Sequence, residues 1–141
     1  MRLQLALNVS DIDQAVAYYS ALFDVEPHKR RERYANFVVQ QPPLKLVLFE
    51  NPGAADRLNH LGVEVHDADD VSNAAERFKA QGILDLVEEN TTCCHATQDK
   101  AWSQEPDGLR WEWYRITEDE PDAAALATDP AVRSKDGVCC A

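Results

Sequence analysis

The sequence predicts an α+β fold of two βαβββ modules enclosing a cleft. Three observations carry this. First, the chain repeats itself: residues 4–11 (Gln-Leu-Ala-Leu-Asn-Val-Ser-Asp) align with residues 60–67 (His-Leu-Gly-Val-Glu-Val-His-Asp). Second, each copy alternates apolar with polar residues, as a half-buried strand does, and ends in an Asp that precedes a helical pattern. Third, three strand-like runs follow each helical pattern.

The elements follow in order. In the first strand Leu3, Leu5, Leu7 and Val9 share one face, so Gln4, Ala6 and Asn8 share the other. Asp11 is placed to cap a helix, with Gln14 completing a capping box, and Ile12, Ala15, Val16, Tyr19, Leu22 and Phe23 form the apolar stripe. Strand-like runs at 26–31, 33–40 and 44–50 complete the first module, with Pro42-Pro43 as the turn before the last. Asn51-Pro52-Gly53 opens a linker.

The second module repeats this plan. Leu61, Val63 and Val65 point inward, which turns His60 the other way. Asp67 heads a helix whose packed residues are Val71, Ala74, Ala75 and Phe78, and Gly82 is placed as its C-terminal cap. Runs at 84–89, 94–103 and 109–116 follow, with Pro106-Asp107-Gly108 as a turn. Aligning the two last strands pairs Val47 with Glu112, which lies opposite Trp111 and Trp113. Residues 1–116 therefore read as one domain, with modules at about 1–51 and 58–116. Residues 117–141 carry Glu118, Asp119, Glu120, Asp122, Asp129 and Asp136 against Arg133 and Lys135. They read as a mobile acidic tail, with a short helix near 123–127, whose removal after Thr117 should leave melting unchanged.

Composition bounds the function. The chain has 141 residues, 45% of them apolar, with three Trp, four Tyr and four Phe, which is a globular composition. A net charge of −11 repels phosphate backbones and excludes nucleic acid as a partner. No apolar run approaches the ~18 residues of a membrane span, and no secretory signal precedes the first strand. The expected location is cytoplasmic, where thiols stay reduced. The four cysteines form two adjacent pairs, Cys93-Cys94 and Cys139-Cys140, a spacing that suits thiol chemistry better than a disulfide framework.

Strand parity and the repeat together bring Gln4, His60 and Glu112 to the cleft face at related positions, with Val47 as a fourth position that cannot bind a metal. The polar members of these four positions are Gln4, His60 and Glu112. Each residue also has an ordinary reading. His60 and Glu112 would then be polar residues on an open sheet face, Cys93 and Cys94 small core or surface residues, and Lys100 an exposed cation.

The repeat, and the placement of these residues on the first, fifth and last strands, resemble the vicinal-oxygen-chelate superfamily of glyoxalase, bleomycin-resistance and extradiol-dioxygenase relatives. Four stretches are similar to its cadmium-induced and carbon–arsenic lyase branch: Tyr34-Ala35-Asn36-Phe37, Pro42-Pro43-Leu44-Lys45-Leu46-Val47-Leu48, Leu58-Asn59-His60-Leu61-Gly62-Val63-Glu64-Val65, and residues 90–100 around Cys93-Cys94-His95. The resemblance covers residues 1–116. It implies Fe(II) held by Gln4, His60 and Glu112, and a trivalent methyl- or aryl-arsenical held by Cys93 and Cys94. The 88–92 run would be a mobile loop delivering it. Oxygen-dependent cleavage would then leave arsenite, in arsenic resistance. Outside the resemblance, Lys100 follows the cysteines and is placed to lower their pKa or orient an anion, and Cys139-Cys140 reads either as an auxiliary metalloid trap or as a pair without a role. The alternatives are a non-enzymatic cadmium or arsenite trap, and a dioxygenase or glyoxalase-like enzyme on another substrate. Whether modules pair within a chain or across a homodimer stays open.

Overall fold

The computed structural model describes residues 1–129. Its elements run β1 (Arg2–Val9), α1 (Ile12–Phe23), β2 (Lys29–Arg31), β3 (Tyr34–Val39), β4 (Leu44–Glu50), β5 (Leu58–Glu64), α2 (Ala68–Ala80), β6 (Leu84–Cys93), β7 (Ala96–Gln104), β8 (Arg110–Glu118) and α3 (Ala123–Leu126). The strands form one eight-stranded sheet in the order β2-β3-β4-β1-β5-β8-β7-β6. Within each module the first and last strands are parallel neighbours, and the modules join through antiparallel β1 and β5. The join lies inside one chain. It pairs Gln4 with Gly62 and Ala6 with His60. The repeat exchanges these two pairs, so a pseudo-twofold axis passes between β1 and β5.

Parity sorts the side chains as the alternation requires. On one face of module 1, Leu5, Leu7, Val9, Leu46, Leu48, Ala35 and Phe37 pack with Ile12, Val16 and Tyr19 of α1. In module 2, Val63, Val65, Ala101 and Trp113 pack with Val71, Ala74 and Phe78 of α2. The opposite, concave face carries a third cluster: Ala6, Tyr34, Val47, Phe49, Trp102, Cys93 and Cys94.

Local signals explain the helix ends. The Asp11 carboxylate accepts from the Gln14 amide at 2.9 Å, and Glu50 of β4 accepts from the Ile12 amide at 2.9 Å. Gly82 follows α2 at φ +70°, where glycine is unstrained.

The structure departs from the sequence reading in four places. Asp67 sits at the N-cap of α2 without a side-chain capping bond. Leu22 and Leu3 are 55% and 47% exposed, at the edges of their packed stripes. The 88–92 run, expected to be a loop, belongs to β6, because its backbone pairs with β7 through Thr92 opposite Thr97. The domain also passes the expected boundary at 116: β8 runs to Glu118, and α3 falls within the anticipated helix. Lys29 and Arg31 of module 1 supply cations, and His28 a hydrogen bond, that hold the following segment through Asp119 and Glu120. Cys139 and Cys140 lie outside the described residues.

Candidate functional site

Period-two alternation places Gln4 on β1, His60 on β5 and Glu112 on β8 with their side chains on the concave face. All three are almost fully buried. His60 Nε2 lies 3.1 Å from Glu112 Oε1 and 3.1 Å from Gln4 Nε2, and Gln4 Nε2 donates to Glu112 Oε1 at 2.5 Å. Among the described residues no three His, Cys, Asp or Glu side chains converge. The convergence is of one imidazole, one carboxylate and one amide.

A chain of amides orients the imidazole. The Asp56 carbonyl can only accept, so Asn8 turns its Nδ2 toward it at 2.9 Å. Asn8 Oδ1 then accepts from Asn59 Nδ2 at 3.1 Å, and Asn59 Oδ1 accepts from His60 Nδ1–H at 2.8 Å. That bond orients the ring so that Nε2 faces the Glu112 carboxylate and the Gln4 amide, and a second partner on the other ring nitrogen is the arrangement that metal-binding histidines show. Burial works against the Glu112 carboxylate, but Lys100, 3.0 Å away, and His60 outweigh it and hold the group at about 2.

The donor set fits a divalent metal. Two ligands ~2.1 Å from one ion and at right angles to each other lie ~3 Å apart, and the imidazole–carboxylate and imidazole–amide separations are both 3.1 Å. A half-turn of the Gln4 amide presents Oε1 in place of Nε2. The glycine between them is part of this fit. A Cβ at Gly62 would stand 2.8 Å from Glu112 Cγ and 3.2 Å from Gln4 Nε2. Asn8, Asn59 and Gly62 were not singled out in the sequence as supporting residues. Parity put Asn8 on the cleft face, but only the fold brings it to Asn59.

The three side chains line a cavity whose other walls include Val47, Lys29, Lys45, Tyr114, Lys100 and Cys94. Lys45 is buried beside Gln4, and desolvation lowers its pKa despite Glu64. Lys100 is not the exposed cation of the ordinary reading: it is fully buried and ion-paired with Glu112.

Cys93 and Cys94 stand at the tip of the β6–β7 hairpin. Cys93 pairs with Ala96, so Cys94 and His95 form a two-residue turn, at φ +56° and +64°. Such turns need positive φ at both central residues, and here the residues are a Cys and a His, not Asn-Gly. The turn removes the difficulty that neighbours in a straight strand face opposite ways, because the two sulfurs come within 3.3 Å. Cys94 is disulfide-bonded in this structure, against the expectation of a reduced pair, so it must be reduced before it can bind a soft ligand. His95 packs against Tyr34 at 4.9 Å between ring centroids, and burial lowers its pKa despite Asp129.

Two βαβββ modules paired edge to edge around a buried, metal-compatible donor set are the vicinal-oxygen-chelate fold. The family model of the Glyoxalase/Bleomycin resistance protein/Dioxygenase superfamily matches residues 3–113, and the chain belongs to that superfamily. It is 52% identical over 118 residues to the cadmium-induced protein CadI of Mycobacterium tuberculosis, covering 84% of this chain and 78% of that one. It is 47% identical over 131 residues to the trivalent organoarsenical cleaving enzyme of Thermomonospora curvata, covering 92% and 86%. The Mn(II)-bound glyoxalase of Novosphingobium aromaticivorans shares the fold, with a TM-score of 0.61 at 18% identity over 84% of this chain and 40% of that one.

No helix among the described residues is long and apolar enough to cross a membrane.

Proposed function

We propose that this chain is an Fe(II)- and O2-dependent carbon–arsenic lyase acting on trivalent organoarsenicals. The carrying observation is that one cavity is bounded both by Gln4, His60 and Glu112 and by Cys94. The relative named a trivalent organoarsenical cleaving enzyme supports the reading.

Capture is the task of the thiols. Trivalent arsenic is soft, and two thiolates displace its two oxygens as water. Two sulfurs ~2.3 Å from one soft atom lie about 3.3–3.8 Å apart, which the 3.3 Å separation of Cys93 and Cys94 satisfies. Gln4, His60 and Glu112 would hold Fe(II), which supplies oxygen activation when bound. The low pKa of Glu112 keeps it an anionic ligand throughout the neutral range. Lys100 balances that charge and keeps the carboxylate in place. Val47, Phe49 and Trp102 form apolar wall around the donors and limit water. For a methylarsenical the overall change balances as CH3As(OH)2 + O2 → CH2O + As(OH)3. Carbon is oxidised by four electrons, O2 is reduced by four, arsenic stays trivalent, and one oxygen atom goes to each.

The test is arsenite appearing from trivalent methylarsenical, with reduced protein, with and without Fe(II). Native ferrous protein should release arsenite. His60→Ala should bind the arsenical without cleaving it, and Cys94→Ser should bind Fe(II) but not the arsenical. The second reading, a soft-metal trap, is favoured by the relative named a cadmium-induced protein. It predicts no arsenite from any variant and a His60→Ala protein that protects cells as well as the native one.

A further inference from the structure

The two-residue turn that carries the thiols is buried, and its backbone groups need partners. They find them far away in sequence. Gln98 donates to the Cys93 carbonyl at 2.8 Å, and Lys29 donates to the His95 carbonyl at 2.8 Å. The two turn amides point at a single carboxylate. Asp129 Oδ1 accepts from Cys94 N–H at 3.2 Å, and Asp129 Oδ2 accepts from His95 N–H at 2.7 Å. Asp129 is wholly buried.

We propose that Asp129 is the positioning residue of the thiol pair. Its carboxylate holds the Cys94-His95 turn in the left-handed conformation that brings both sulfurs together on the cavity side. This rests on the reading that Cys93 and Cys94 bind a trivalent arsenical. Left-handed backbone is unfavourable for both turn residues, and charge-assisted bonds to both amides offset that cost. Asp129 is delivered by a defined route. Asp119 is bound to His28 and Lys29, Glu120 to Arg31, and the Asp122 carboxylate caps α3 through the Ala125 amide at 2.8 Å. The segment thus crosses from β8 of module 2 to β2 of module 1, and its last described residue reaches the turn. The Asp129 carboxylate bonds both amides of the thiol turn, so its effect should fall on the thiols.

The experiment uses the full chain, reduced, with phenylarsine oxide as the thiol probe and Fe(II) alone, under anaerobic conditions, as the metal probe. Asp129→Ala should weaken phenylarsine oxide by about ten-fold or more and leave Fe(II) affinity unchanged. It should also release the Cys94 and His95 amides to fast hydrogen exchange. Asp129→Asn keeps one acceptor oxygen and should fall between the two, and it carries the test if Asp129→Ala does not fold. Native arsenical affinity with native amide protection in Asp129→Ala would overturn the proposal, as would parallel losses of Fe(II) and arsenical binding, which mark a merely structural residue. Native protein that fails to take phenylarsine oxide on Cys93 and Cys94 would overturn the arsenical reading instead. The exchange of the two amides would then decide the role of Asp129 by itself.

Discussion

The two modules follow one chain path and furnish the cavity differently. The register matches Val47 to Glu112, Phe49 to Tyr114, Tyr34 to Lys100 and Asn36 to Trp102. Module 2 thus places a carboxylate and its balancing cation where module 1 has a valine and a tyrosine. The backbone adapts in step. Ala6 lies beside Val47, whereas its counterpart beside Glu112 is Gly62, whose missing Cβ makes room for the carboxylate. The hairpins differ as well: β2 has three residues and β6 has ten, and only the longer one ends in the thiol turn. A duplicated scaffold supplies two similar walls, and a donor becomes a site only where the surrounding volume and charge have changed with it.

The largest effect should come from making the last strands alike. Glu112→Val should lower Fe(II) affinity by more than about 100-fold, because it removes the carboxylate proposed as the anionic ligand and the carboxylate that Lys100 pairs with. Adding Val47→Glu should not restore it. That carboxylate would meet the Ala6 Cβ and would have Tyr34 where Glu112 has Lys100. Anaerobic Fe(II) titration checks both, and recovery in the double variant would show that the modules are interchangeable.

A smaller effect sharpens the glycine comparison. Gly62→Ala drives a Cβ into Glu112 and should cost about 1–3 kcal/mol of stability, with weakened Fe(II) binding. Ala6→Gly, at the repeat-related position, should cost about 1 kcal/mol through backbone entropy and keep metal binding. Equal losses of metal in the two variants would break the asymmetry.

The smallest effect concerns the segment that ties the modules together. Asp119→Asn should weaken docking modestly at pH 7, since the carboxylate is 38% exposed while Lys29 is buried. Burial raises the Asp119 pKa, but hydrogen bonds from His28 and Lys29 outweigh it and leave the group below its ordinary value. A lowered carboxylate pKa contributes stability that is present above the unfolded value of about 3.9 and lost as pH falls through the folded one. Native protein should therefore lose more stability than Asp119→Asn below about pH 4, read by thermal melting against pH. Identical acid profiles would remove the ion pair from the docking. Truncation after Thr117, expected from composition to be harmless, should instead destabilise the domain, because it strips Lys29 of its carboxylate and the thiol turn of Asp129.

The local pattern was enough for the two modules, for the strand faces, and for Gln4, His60 and Glu112 as cleft residues. Period-two alternation and an internal repeat are properties of the chain, and they fix which side chains share a face before any contact is made. Cys93 and Cys94 were legible as a pair for the same reason, since adjacency is local. Tertiary structure alone decided how they meet: the 88–92 run became a strand because β7 offered it a partner, and the turn at Cys94-His95 brought the sulfurs to one side. It also decided the role of Asn59, Gly62 and Asp129, whose partners lie 51, 50 and 35 residues away. The acidic segment after 117 reads as a tail because its six acidic residues have only Arg133 and Lys135 as counter-charges along that stretch of sequence. Its partners are His28, Lys29 and Arg31, on a strand of the other module. Charge pairing is a distance effect in space, and the sequence records only distance along the chain.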